Sequence, residues 1–514
     1  MKQGDEAVSG KGDAKALREA KELRNAHNWK HLARWHGEGF YELRTEDTGQ
    51  VSVRLFFTPQ LLNDAEEILY RQIVNATRFP GVRLVVITPD AHYGYGVPVG
   101  CVLITDADEG AVAMGPVGYD VGCGMMSARS NVEAEAATPE RRLEFNRAVL
   151  GRVDMGFGGK SRRLGRLSEA EFQNLVRGGA EYYVEKYGAT FDRSRAERHR
   201  IPVDDDWQIP FGGKGRPERG LEQMGSLGGG NHFIELQRSE QTGTLFVQVH
   251  TGSRGFGHGL ATNYFELARE EHPELLKDID LGYFTPESRN YRDYLNAVAA
   301  GGNYAILNRL VIFEQVSEAF REVFGEELEL IYEISHNLVQ RERHPEFGDV
   351  WVHRKGATRA FPAGHPFLKG TQWEDTGHPV LIPGSNKDWS YILRPLAGAE
   401  RSGFSVNHGA GRRMSRGEAT RTLSQRAIDD EYREAGIVVN ADGHVPLDEA
   451  APCYKPSEEV VAAVVGAGLA EVEHRLWPLA SLKGVDELRR GRKGKGKREQ
   501  PRGRGEGKKT SEHY

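Results

Sequence analysis

Hydrophobic positions along this chain fall into two rhythms. Short, nearly unbroken apolar runs end in glycine and a polar tip: "RLVVITPDAH" (83–92), "GCVLITD" (100–106), "TLFVQVHTGSRG" (244–255), "GEELELIYEISHN" (325–337) and "HPVLIPGSNK" (378–387). Runs of this length between turn residues predict buried strands that deliver polar side chains at their ends. Between them, apolar residues recur at helical spacing in "EAEFQNLVRGGAEYYVEKYG" (169–188) and "SRNYRDYLNAVAAGGNYAILNRLVIFEQVSEAFREVFG" (288–325). Strands with glycine-rich ends mixed with long helices predict an α+β or α/β protein. No repeat of fixed period is present.

The two ends have a different texture. Residues 1–50 are polar and charged, with a helical stretch near "AKALREAKELRNAHNWKHLARW", and the apolar pattern begins at Val51. Residues 485–514 alternate Lys and Arg with Gly and hold almost no apolar side chain, so an unstructured basic tail is predicted. That tail reads either as a solvated appendage or as a non-specific phosphate-binding arm. The whole chain carries a formal net charge of -6, which excludes a molecule that binds nucleic acid by bulk charge alone. Cys101, Cys123 and Cys453 are its three cysteines, too few for a disulfide framework and in keeping with a reducing compartment. The N-terminal stretch has no apolar secretory core, and no run is long enough to span a bilayer. The expected address is the cytoplasm, with no membrane partner.

The polar tips hold the candidate chemistry. "VGYDVGCGMMSAR" sets Asp120 and Cys123 three apart between glycines. "GSLGGGNHFIEL" carries Asn231, His232 and Glu235; "VHTGSRG" carries His250; "ISHN" carries His336. A lone strand-end histidine is ordinarily structural. Four such tips together form a mixed Cys/His/Asp set suited to a borderline divalent ion with open positions, and Zn, Fe(II), Mn and Co all remain open. "GSLGGG" lacks the Lys-Ser/Thr ending of a Walker loop, yet glycine-rich backbone can still cradle phosphate. A further stretch, "NHGAGRRMSR" (407–416), sets one imidazole, His408, against two glycines and then Arg412, Arg413 and Arg416. Glycines permit close backbone approach, and clustered arginines suggest an anion. These features together point to a metal-dependent enzyme acting on a phosphate compound.

The motifs "DAHYGYGVPVG", "GYDVGCGM", "GGGNHFIE", "HTGSRG", "SHN", "IPGS" and "NHGAGRRMSR" occur in this order, followed by "APCYK" and "PLASLKG". The set resembles the RtcB family of RNA-splicing ligases, from about Val51 to Gly484. The resemblance implies a single large α+β catalytic domain over 51–484. It implies joining of RNA 3′-phosphate or 2′,3′-cyclic phosphate ends to 5′-hydroxyl ends, with GTP and two Mn²⁺ ions. His408 matches the family nucleophile that takes up GMP. Asp120, Cys123, His232, His250 and His336 match the metal ligands, Cys123 bridging the two ions. Asn231, His232, Phe233, Ile234 and Glu235 match a guanylate-contacting segment, with Glu235 set to read the guanine edge. His336, Asn337, Pro383, Gly384, Ser385, Asn386, Ser390, His408, Gly409, Ala410, Gly411, Tyr454 and Lys483 match further nucleotide contacts, Tyr454 as a ring to stack on guanine. The implied partners are RNA with those ends and, as a candidate, an activating protein.

One departure stands out. Where the family usually reads "IPGSMGTxSY", this chain reads "IPGSNKDWSY" (382–391). Asn386, Lys387, Asp388 and Trp389 are expected to alter nucleotide fit, metal access or choice of RNA end. With the basic tail, they point to a divergent paralogue acting on damaged RNA. Two other classes use parts of the same set: a metal-dependent phosphodiesterase or phosphatase, which has no need of His408, and a non-catalytic RNA-binding protein, which leaves the ligand set without a purpose.

Overall fold

A computed structural model describes residues 23–189, 191–196, 200–273 and 279–484. The start of the predicted N-terminal helical stretch and the whole basic tail, 485–514, lie outside the described residues.

Two large sheets organise the protein. One has seven strands in the order Arg34–Trp35, Tyr41–Leu43, Ser52–Leu55, Val82–His92, Val99–Asp106, Gly348–Lys355 and Asn337–His344. The other is eight-stranded, in the order Glu329–Ser335, Gly124–Glu133, Thr244–Thr251, Phe233–Ser239, Ala470–Lys483, Ser390–Pro395 and Val380–Ile382, with Val438–Val439 beside Ala470–Lys483. Neighbours run antiparallel except Ser52–Leu55 with Val82–His92 and Val438–Val439 with Ala470–Lys483. Mostly antiparallel sheets with helices packed beside them make this an α+β fold rather than a wound α/β one. Residues before Val51 contribute the two outermost strands of the seven-stranded sheet and bury Trp29, so this stretch is continuous with the sheet.

Helix Tyr291–Phe324 runs for 34 residues and buries side chains on nearly every face. Its "AVAAGGNYA" stretch is small enough for neighbours to close in. A Cβ on Gly302 would meet Ile201 at 2.7 Å, and one on Gly122 would meet Ala305 at 2.8 Å. Gly325, at φ 78°, ends the helix in the left-handed conformation that glycine adopts freely. The predicted helix at 169–188 is present as Glu169–Tyr187 but kinks at Gly179, where φ is 59°; a Gly-Gly pair offers no side-chain resistance to that break. The glycine loop read at "HTGSRG" is brief, only Gly252 and Ser253. Helix Arg254–Glu271 begins two residues after strand Thr244–Thr251 ends. No helix of the described residues is long and apolar enough to cross a membrane.

The topology explains why distant residues meet. Strands Glu329–Ser335, Gly124–Glu133, Thr244–Thr251 and Phe233–Ser239 are consecutive antiparallel neighbours. Their register pairs Ser335 with Gly124, Gly124 with Thr251, and His250 with both Met125 and Phe233. The end of one strand therefore lies beside the start of the next, and all four tips open on one edge. Lys483 pairs with Phe233 on the same edge. His336 sits between Glu329–Ser335 in one sheet and Asn337–His344 in the other, so this edge is also the junction of the two sheets.

Candidate active site

At that junction the donors form two overlapping groups, Cys123/His250/His336 and Asp120/Cys123/His232, with the ligand atoms of each within 4.8 Å of one another. Cys123 Sγ lies 3.3 Å from His250 Nε2 and 3.6 Å from His232 Nε2. His250 Nε2 and His336 Nε2 are 3.3 Å apart, and His232 Nε2 is 3.1 Å from Asp120 Oδ2. The other ring nitrogens are committed to backbone. His232 Nδ1 donates to Leu227 O at 3.0 Å and His250 Nδ1 to Asn231 O at 3.1 Å. That arrangement leaves both Nε2 lone pairs facing inward, as a metal-ligating imidazole requires. Asp120 is held through its second oxygen, which accepts from Ser253 N at 2.9 Å. Gly252 permits this approach, since a Cβ there would meet the Asp120 carboxylate at 2.2 Å.

Electrostatics favour the same reading. Burial, then neighbouring charge from His232 and His408 respectively, pushes His250 and His336 well below the ordinary histidine range. Both imidazoles are therefore neutral, and their Nε2 atoms lie 3.3 Å apart, a separation that an N–H···N hydrogen bond or a shared cation accommodates equally. Burial opposes ionisation of Asp120, but its contacts with His232 and the Ser253 amide bring its pKa down to about 2. Burial and then Asp120 hold the Cys123 thiol well above its usual range, a situation that a bound divalent ion inverts. The donor set fits a metal ion, and Cys123 belongs to both groups.

His408 stands beside this cluster, its ring centroid 4.8 Å from that of His336. Its Nδ1 donates to Asp90 Oδ2 at 2.6 Å, and the same oxygen accepts from His408 N at 3.1 Å and Gly409 N at 3.3 Å. Thr88 Oγ1 donates to the other Asp90 oxygen at 2.6 Å. Burial would raise the pKa of Asp90, yet the charge and hydrogen bond of His408 and the Thr88 hydroxyl hold it below the ordinary carboxylate range. The pair fixes the proton on Nδ1 and leaves Nε2 with a lone pair, the form of imidazole that attacks an electrophile. Asp90 is absent from the sequence reading, although it heads the quoted "DAHYGYG" motif and ends an apolar run like the other tips. The glycines around His408 now have reasons. A Cβ on Gly411, at φ 77°, would meet Asp90 O at 2.1 Å. Gly356, also missed, lets its backbone pass under the His408 ring: a Cβ there would meet His408 Cε1 at 2.9 Å.

The remaining candidates divide. Glu235 is buried on the strand that follows His232, and burial raises its carboxyl to about 7 against the opposing influence of Gln237 and Lys483. The Lys483 ammonium lies over the Phe233 ring, while the Ile234 side chain belongs to the core. Asn231 is exposed and contributes its carbonyl to His250. Asn337 bridges the ligand loop, its Nδ2 donating to Asp120 O at 3.1 Å and its Oδ1 accepting from Gly356 N at 2.8 Å. Gly384 N donates to Ser390 Oγ at 3.0 Å, and a Cβ on Gly409 would lie 3.4 Å from Pro383 O. The start of the Pro383–Ser390 segment thus lies against the loop that carries His408. Ser385 is buried in this segment, and Ala410 is buried in the loop after His408.

Two of the three arginines are tied to one buried carboxylate. Arg412 and Arg416 both pair with buried Glu449, at 3.5 and 2.5 Å, and Arg413 donates to Pro452 O at 3.1 Å. Lys483 also reaches Glu449, at 3.3 Å, and the Tyr454 hydroxyl donates to it. The Arg412 guanidinium lies 5.1 Å over the Tyr454 ring, so that face is covered. Glu449, which the sequence reading missed, anchors this cluster. The departure segment turns outward as well. Asp388 Oδ2 accepts from Ser457 N at 2.8 Å, at the start of helix Ser457–Gly466. Lys387 pairs with Glu431, and Trp389 packs edge-on against Trp477 at 5.1 Å. Asn386 Oδ1 accepts from Tyr432, while its buried Nδ2 has no partner among the described residues.

Buried imidazoles, a thiol and a carboxylate that converge beside a carboxylate-oriented histidine define the class: an enzyme-type site able to hold metal, with an oriented imidazole at its rim. The family model described as tRNA-splicing ligase RtcB matches residues 72–484. The chain is 36% identical over 467 residues to the tRNA-splicing ligase RtcB of Pyrobaculum aerophilum, covering 85% of this chain and 95% of that protein. It is 35% identical over 465 residues to that of Thermococcus kodakarensis, with 85% and 95% covered. The RNA-splicing ligase RtcB of Mycobacterium tuberculosis is 36% identical over 440 residues, covering 80% of this chain and all of that protein. The chain belongs to the RtcB family.

Proposed function

We propose that this protein is an RNA ligase that uses GTP and two Mn²⁺ ions to join a 3′-phosphate or 2′,3′-cyclic phosphate end to a 5′-hydroxyl end. The observation that carries the reading is the His408–Asp90 pair beside the thiol-centred donor set. A phosphodiesterase with the same ligands has no use for a carboxylate-held nucleophile.

Asp120 and His232 would hold one ion, His250 and His336 the other, with Cys123 shared. Bound there, the ions supply charge neutralisation for phosphate oxygens that enter and leave. His408 Nε2 attacks the α-phosphorus of GTP, the bond to the bridging oxygen breaks, and pyrophosphate leaves. The Nδ1 proton stays facing Asp90, whose charge balances the positive imidazole that forms. Glu235 accepts from the adjacent donors on the guanine edge, and Asn386 Nδ2 donates to the nucleotide. Water opens a cyclic end where one is present. A 3′-phosphate oxygen then displaces His408 from the guanylate. The 5′-hydroxyl attacks the activated 3′-phosphorus, loses its proton, and GMP departs. Tyr454, tied to Glu449 and Arg412, borders the guanine pocket and helps hold Lys483 in place. The basic arm after Gly484 supplies salt-sensitive contacts to RNA phosphates. Lys387, Asp388 and Trp389 shape the outer wall of the pocket, and the choice of damaged RNA as substrate belongs to the RNA surface beyond it.

The test is end-to-end joining of two RNAs, one with a 3′-phosphate and one with a 5′-hydroxyl. Joining that needs both GTP and Mn²⁺ supports the reading. Release of inorganic phosphate without joining would identify a phosphatase instead.

A further inference from the structure

Beneath the donor set lies a guanidinium that this chemistry does not use. Arg309 stands on helix Tyr291–Phe324 and is 0% exposed, as is Glu333 opposite it. A guanidinium has five N–H hydrogens, and here each has an acceptor. Nη1 donates to Gly122 O and to Thr251 O, both at 2.8 Å. Nη2 donates to Ser335 Oγ at 2.8 Å, and Nη2 and Nε both reach Glu333 Oε1.

The acceptors are not scattered. Gly122 precedes Cys123, Thr251 follows His250, and Ser335 precedes His336. One side chain therefore ties together three segments, each at the residue next to a donor, and the three donors are one complete metal group. The sheet ladders align the strands, but a ladder does not fix how each terminal residue turns its side chain.

We infer that Arg309 is a positioning residue for the metal centre, setting the spacing of the Cys123, His250 and His336 donors. The inference rests on the metal reading above. A lysine cannot replace it, because an ammonium is a point donor without the planar fork that reaches three directions at once. A purely structural role, pairing charge with Glu333, would alter stability and leave ligand spacing unchanged.

The experiment is titration of full-length protein with Co²⁺ alone, read by the thiolate-to-cobalt charge-transfer band and carried out well below each variant's melting temperature. Two variants are compared with wild type. Arg309→Lys keeps a positive charge opposite Glu333. The double variant Arg309→Met/Glu333→Leu removes both charges, an exchange that buried pairs often tolerate without loss of stability. In both, Co²⁺ affinity is expected to fall roughly 10- to 100-fold with a shifted band, as for other residues that orient metal ligands. If the double variant does not fold, Arg309→Lys decides. Wild-type affinity and band position in a folded variant overturn the inference while leaving the metal reading intact. No band in wild type overturns the metal reading, and the inference with it.

Discussion

Replacing Asp90 with Asn isolates the charge behind the nucleophile. Asp90 Oδ2 accepts from His408 Nδ1 and from the amides of His408 and Gly409, so three donors converge on one oxygen. An asparagine must put its carbonyl oxygen there, because its NH₂ would face all three. Its nitrogen then meets the Thr88 hydroxyl, which can turn and accept. The proton stays on Nδ1, Nε2 keeps its lone pair, and only the negative charge is lost. A hydrogen bond to a charged group contributes about 1.5–3 kcal/mol and a neutral one about 0.5–1.5 kcal/mol. The difference, about 1–1.5 kcal/mol, corresponds to about tenfold at 1.36 kcal/mol per decade. Positive charge grows on the imidazole during attack, and Asp90 is wholly shielded from water, so the effect in the transition state is larger. The single-turnover rate of guanylylation should drop roughly 10- to 100-fold, with the GTP concentration for half-maximal rate unchanged. Asp90→Ala should lose far more, since it strands the buried donors. The assay is rapid-quench transfer of label from α-labelled GTP to protein. A wild-type rate in Asp90→Asn would refute the argument that this carboxylate assists the nucleophile.

Other consequences are open to measurement. Cys123→Ala removes the one atom common to both metal groups; guanylylation should vanish while the circular dichroism spectrum and melting temperature stay near wild type, and labelling at the wild-type level would remove the sulfur from its shared role. Glu449 is held at about 2 because the charges of Arg416, Lys483 and Arg412 outweigh its burial. Its folded pKa lies below the unfolded value, so its contribution is full above about pH 5 and is lost as pH falls toward about 2, an effect on the order of 3 kcal/mol. Glu449→Gln should thus be less stable than wild type near about pH 7, with the gap in urea midpoint narrowing by about pH 3; a constant gap would contradict that linkage.

Much of the fold was legible because its elements are long or strongly patterned. The apolar runs at 83–92, 100–106 and 244–251 became strands, and the run at 288–325 became the helix Tyr291–Phe324. The break at Gly179 and the early start of helix Arg254–Glu271 were not, since both depend on what packs against them. In the site, residues at glycine-flanked tips announced themselves: Asp120, Cys123, His232, His250 and His336 converge. The residues that orient them did not. Arg309 lies mid-helix in an apolar stretch, and nothing in its spacing says that its guanidinium reaches three strand ends. Arg412 and Arg416 of "NHGAGRRMSR" pair with Glu449, which lies 33 residues beyond Arg416 and is invisible as their partner until the chain folds.

The central claim is that His408 becomes covalently guanylylated. Protein incubated with α-labelled GTP and Mn²⁺, then digested and analysed by mass spectrometry, reads it directly. One acid-labile GMP is expected on the peptide containing His408 and none in His408→Ala, with metal content unchanged in that variant because His408 is not among the five donors. GMP found on another residue, or label persisting in His408→Ala, would contradict it.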